Sequence, residues 1–109
     1  LTGIARHKLA DHFRTRDREE RRRLRLVVRE VAVDRELAAW RDVDEREALV
    51  RALARLPALQ RAVLVLHYAD GLPVSDVAAH IGRSASATES LMARAREALR
   101  GAYEEATDA

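Results

Sequence analysis

The chain has 109 residues, 48% apolar and 35% charged, with 4 Gly, 2 Pro, and Lys and Arg exceeding Asp and Glu by 20 to 18 for a net charge of +2. A mix led by Ala, Leu, Arg and Glu predicts an all-α protein with room for one small core. Without Cys there is no disulfide framework and no thiolate metal site; the four His lack ligand spacing with carboxylates, so no metal or cofactor is expected.

Leu1 to about Arg16 place Leu1, Ile4, Ala5, Leu9 and Phe13 on one helical stripe. Such a helix needs something to pack on, and the chain starts at Leu1 rather than Met. It is therefore expected to be a piece of a longer protein. Arg6, Lys8, Arg14, Arg16, Arg18, Arg21, Arg22, Arg23 and Arg25 crowd the first quarter. They suit phosphate, or form a solvated helix face. From Asp17 to Val43 the apolar residues Leu24, Leu26, Val27, Val28, Val31 and Val33 keep no clean single period, and Gly and Pro are absent. This stretch reads as a semi-ordered connector, partly helical. Trp40 reads as a core anchor pinning it to a neighbour.

A compact unit is expected from Asp44, a candidate helix cap with Glu45 and Glu47 in the first turn. Leu49, Val50, Leu53 and Leu56 supply its apolar face. Pro57 ends this helix by steering Leu56 out of helical geometry, and opens the next as its first residue. The second helix carries Leu59, Val63, Leu64 and Leu66 and stops at Asp70-Gly71. Pro73 opens a third, Val74 to Ile81. A Gly82-Arg83-Ser84 turn follows, then a long helix from Ala85 with the stripe Thr88, Met92, Ala95 and Leu99. Residues after Glu105 read as a soluble tail. No run is apolar enough to span a bilayer and no signal peptide is present, so a cytoplasmic location is expected.

Gly71 to Arg100 is the most informative segment. Two helices joined by a three-residue turn must approach closely, and Ala78 is small enough to allow it beside Val77 and Ile81. Gly82 supplies the positive φ, and Ser84 caps the next helix. This is the layout of a helix-turn-helix, whose second helix can lie in a DNA major groove. With Thr88, Met92, Ala95 and Leu99 inward, Ser86, Ser90, Ala93, Arg94 and Glu97 point outward. The predicted DNA-binding residues are Arg83 and Ser84 at the helix entrance, then Ser86, Glu89, Ser90, Ala93 and Arg94. Ser90 can bond a base or phosphate, Arg94 guanine or phosphate, and Glu89 can accept from cytosine. His67, Tyr68 and Asp70 are neighbours in sequence but diverge on a helix, with no nucleophile among them, so no enzyme is expected.

Ala52 to Leu99 (ALARLPALQRAVLVLHYADGLPVSDVAAHIGRSASATESLMARAREAL) and Leu1 to Arg14 (LTGIARHKLADHFR) resemble a sigma factor of the extracytoplasmic-function type. Leu56-Pro57, Gln60-Arg61, Tyr68, Gly71-Leu72, Val77-Ala78, Ile81-Gly82, Ser90 and Arg94-Ala95-Arg96 fall at that family's places. The resemblance implies that residues 44–105 are the region 4 domain that reads the −35 promoter element. Residues 1–16 become the last helix of the region 2, or −10, domain, with 17–43 a connector and 106–109 a tail. It implies as partners promoter DNA, core RNA polymerase held by an apolar groove on the Asp44 to Asp70 helices, and an anti-sigma protein. Thr88, Glu89 and Leu91 depart from the family's usual Val, Lys or Arg, and Arg, so isolated DNA binding is expected to be weak and salt-sensitive. A second reading keeps the fold but gives it a protein partner: a sigma-like module docking on a regulator through this altered helix. A response-regulator effector domain would lack the Leu1 to Arg14 helix and the Leu56-Pro57 hinge.

Overall fold

Among the described residues, five α-helices carry most of the structure. The computed structural model describes residues 2–108, with side chains for 14–40, 42 and 44–105. The helices are α1 (Thr2–Asp34), α2 (Val43–Arg55), α3 (Ala58–Leu64), α4 (Val74–Ile81) and α5 (Ala85–Asp108). A 3₁₀ turn (Ala38–Arg41) precedes α2, and a π turn (Val65–Ala69) continues α3. Among the described residues there is no strand, and the all-α expectation holds.

Helix α1 runs unbroken where the sequence predicts a helix followed by a semi-ordered connector. The cause lies in Leu24, Val27, Val28 and Val31, at i, i+3, i+4 and i+7, which form one helical stripe and are buried. Leu26 and Val33 lie off that stripe, Val33 being 57% exposed, and they mask its period in the sequence. The second half of α1 therefore belongs to the same core as the helices that follow, packing on α2 and on the π turn. The stripe predicted over Leu1, Ile4, Ala5, Leu9 and Phe13 lies outside the described side chains.

Helix α1 closes with Glu36 in the left-handed region (φ 56°), and the Leu37 amide reaches back to the Ala32 carbonyl at 2.8 Å. Trp40 then anchors the 3₁₀ turn in the core, as expected, with its ring 5.6 Å from that of Tyr103 on α5. Helix α2 is capped by Asp42 rather than Asp44. The Asp42 carboxylate accepts from the amides of Asp44 (3.0 Å) and Glu45 (3.4 Å), which places Asp44 in the first turn. Leu56 is extended, as its proline neighbour requires, and Pro57 serves as N-cap of α3, so the helix begins at Ala58, one residue later than predicted. Arg61 donates to the carbonyls of Ala54 (2.8 Å) and Leu56 (3.4 Å), so one guanidinium satisfies the loose end of α2.

The π turn was not legible in the sequence. It widens α3 by one residue, closing with a bond from the Asp70 amide to the Val65 carbonyl at 3.0 Å. Regular α3 faces α5, and the π turn faces α1. Tyr68 on that turn donates from its hydroxyl to the Asp34 carboxylate (2.7 Å) and accepts from Arg96 (3.4 Å). Three helices meet at this phenol. Burial and the Asp34 hydrogen bond raise its pKa, with the Arg96 charge opposing them. At the far end, α5 continues to Asp108, so 106–108 are helical where a tail was expected.

Candidate nucleic-acid interface

Helices α4 and α5 and the turn between them form the site. Helix α4 spans the predicted Val74–Ile81, with Val77 and Ala78 buried on its inner face. Gly82 ends it at φ 69°, ψ 36°. The Arg83 amide donates to the Ala78 carbonyl at 3.0 Å, so the turn satisfies the carbonyls that α4 leaves open. A Cβ at Gly82 would meet nothing within 4 Å, so glycine is required there by backbone conformation and not by space.

Ser84 starts α5 as predicted. Its Oγ accepts from the Ala87 amide at 3.1 Å, and its carbonyl accepts from the Thr88 amide (2.9 Å) and the Thr88 hydroxyl (2.8 Å). Thr88 is fully buried, and this bond is what makes a hydroxyl tolerable inside the corner. Met92, Ala95 and Leu99 continue the stripe into the core. The corner is thus held from within, and α5 is fixed in rotation about its own axis.

The opposite face is open. Arg83, Ser84, Ser86, Glu89, Ser90, Ala93 and Arg94 are all exposed. At ~100° per residue the members on α5 beyond its first residue fan over about 140°, with Ser86 and Ala93 near the centre, Arg94 on one flank and Glu89 on the other. Ser84 uses one lone pair on the cap and keeps its hydroxyl hydrogen to donate. Arg83 stands at the amino end of α5, where the helix amides already favour an anion. Ala93 has one further neighbourhood. With Glu97 it borders a cleft of about 230 Å³ between α5 and the end of α1, where Arg35, Arg96 and Arg100 converge. The sequence reading missed this cluster, although Arg96 and Arg100 lie three and seven residues beyond Ala93 and therefore beside it on the helix. Leu91, on the flank of α5, packs against the core.

A helix-turn-helix with a sealed inner face and a polar outer face defines a DNA-binding module. Residues 46–99 match the family described as Sigma-70, region 4, and this segment of the chain belongs to that family. Region 4 is the part of a sigma factor that recognises the promoter −35 element at transcription initiation, and it is a DNA-binding regulatory domain, not a known enzyme family. No curated protein and no solved structure matches the chain. No described helix is long and apolar enough to cross a membrane.

Proposed function

We propose that this chain is the C-terminal portion of an extracytoplasmic-function sigma factor working in the cytoplasm. In this reading Arg83, Ser84, Ser86, Glu89, Ser90, Ala93 and Arg94 meet the −35 element. Arg94 bonds a base edge or phosphate, Ser86 and Ser90 supply short polar contacts, and Arg83 and the α5 amides hold the backbone. Residues 44–105 act as the region 4 domain, and the first 16 residues as the last helix of the −10 domain. Core RNA polymerase is bound through the helical surface of α2 and α3, and an anti-sigma protein competes for it. Much of the apolar face of α2 is already covered by α1 and α5, and that of α3 by α5, so the polymerase contact falls on what those two helices leave exposed.

The observation that carries this reading is the rotation of α5. With Thr88, Met92, Ala95 and Leu99 sealed inside, every residue nominated for DNA is exposed. The alternative, a module docking on a regulator, uses the same altered helix, on which Leu91 is half-buried against the core. Fluorescence anisotropy of the chain on a cognate −35 duplex tests the proposal. Arg94→Ala is expected to weaken binding by ~1–3 kcal/mol, the worth of a good base contact. Equal affinity of the wild type and the variant at matched salt would refute a DNA-reading role for this face. Run-off transcription with core polymerase then separates promoter reading from polymerase binding.

A further inference from the structure

The second half of α1 and the start of α2 enclose a groove that DNA reading leaves unused. Two clefts of about 570 and 300 Å³ share Arg29 and Arg46, and so run together along α1 from Arg22 to Val33. That is about 17 Å of helix, roughly three turns. Its floor is aliphatic: Leu26 is half-buried, Val33 is the large hydrophobic left most open to solvent among the described residues, and the buried Trp40 underlies them. Its rim is cationic. Arg25 is neutralised by Glu47 at 2.8 Å, and Arg23 by Asp70 at 2.8 Å. Arg29 has only a loose 3.8 Å contact with Glu30, at the limit of an ion pair. Arg46 holds its Nε buried with no hydrogen-bond partner in the protein. A buried guanidinium donor with no acceptor is costly, and Arg46 is half-exposed and lines both clefts, where a carboxylate can pair with its charge.

We propose that this groove docks an acidic amphipathic helix of a partner protein. Aliphatic side chains of that helix cover Leu26 and Val33, and its carboxylates take up Arg29, Arg46 and Arg22. Charge and shape together select this occupant. A nucleic-acid backbone would satisfy the arginines but leave the aliphatic floor without a match, whereas an amphipathic helix offers both faces at a pitch that fits a three-turn groove. The groove lies on α1 and α2, away from the outward face of α5, so the proposal stands or falls separately from −35 recognition.

The probe is a synthetic peptide of about 16 residues, leucine along one face and glutamate along the other, stapled because short free helices are marginal in water. Binding to the full 109-residue chain is read by anisotropy and by amide chemical shifts. Val33→Asp and Arg46→Gln are each expected to weaken the peptide about tenfold, in keeping with loss of an apolar contact or one charge-assisted hydrogen bond. Val33 is exposed, so its replacement leaves the fold intact, as circular dichroism will show. Arg16→Gln with Arg18→Gln, which removes two charges outside the groove, is expected to leave the affinity unchanged. Shifts confined to Leu26, Arg29, Val33 and Arg46 support the proposal. Absence of binding, equal loss in the Arg16 and Arg18 variant, displacement of the peptide by a non-promoter DNA duplex, or self-association of the chain through the same amides would each overturn it.

Discussion

Val28→Ala is expected to destabilise the fold by about 2–2.5 kcal/mol, because α1 contributes to the core and does not merely precede it. Val28 is fully buried between α1 and the helices below it. The substitution removes two methyl groups, worth ~0.8 kcal/mol each in transfer from water. It also opens a space of about 50 Å³, and at ~24 cal/mol per Å³ an uncollapsed cavity adds up to ~1 kcal/mol, less whatever the neighbours fill. At ~4–8 °C per kcal/mol for a domain of this size, the midpoint of thermal unfolding falls by roughly 10 °C. Val33→Ala on the same helix is the internal control. Val33 is exposed, and its truncation is expected to cost less than ~0.5 kcal/mol. Urea and thermal unfolding of the full chain, followed by circular dichroism, measure both. Equal costs for the two variants would show that α1 is not packed on α2 and the π turn, and the placement of its valines would be wrong.

Two of the left-handed helix ends give substitutions of opposite sign. Gly82→Ala meets no neighbour, so its cost is the backbone strain alone, ~1–2 kcal/mol, visible in urea midpoints. Glu36→Gly relieves the same strain at φ 56° and is expected to stabilise, by less than ~1 kcal/mol because glycine also loosens the unfolded chain. For Tyr68 the folded pKa lies above the unfolded one, since burial and Asp34 both favour the neutral phenol. Its contribution is complete below the ordinary tyrosine range near ~10 and declines as pH rises past it towards the raised value. Tyr68→Phe should flatten that alkaline decline. It should also leave a single raised tyrosinate transition in the near-ultraviolet absorbance, that of Tyr103, which burial and Glu45 push up. An alkaline decline as steep in Tyr68→Phe as in the wild type, or an unraised transition for the tyrosine that remains, would contradict this assignment.

The helix-turn-helix was readable from residues alone because each of its joints is local. Gly82, Ser84 and Thr88 act within four residues of where they stand, so spacing reveals them. The inward stripe of α5 follows from its period for the same reason. Helix α1 was harder. Its stripe of Leu24, Val27, Val28 and Val31 is regular, but Leu26 and Val33 fall between its members and blur the pattern. What they do becomes visible only when α2 lies alongside. The shift of the α2 cap from Asp44 to Asp42 reflects two acids within reach of the same amides, which composition does not rank. The Arg35, Arg96 and Arg100 cluster joins residues far apart in the chain, and no local rule places Arg35 beside the other two. The DNA-facing set was legible for the converse reason: it is what remains once the buried stripe of one helix is known.

The π turn at Val65–Ala69 has a consequence for how this domain tolerates change. By re-phasing a single helix midway, it lets the first half grip α5 while the second half grips α1. What the turn encodes is therefore length more than side-chain identity. Removing one residue from it would turn Tyr68 out of register with Asp34 by a large fraction of a turn and leave the arginine-rich helix held chiefly by α2, even with every remaining side chain unaltered. Substitutions in this segment should be forgiven far more readily than a single-codon deletion.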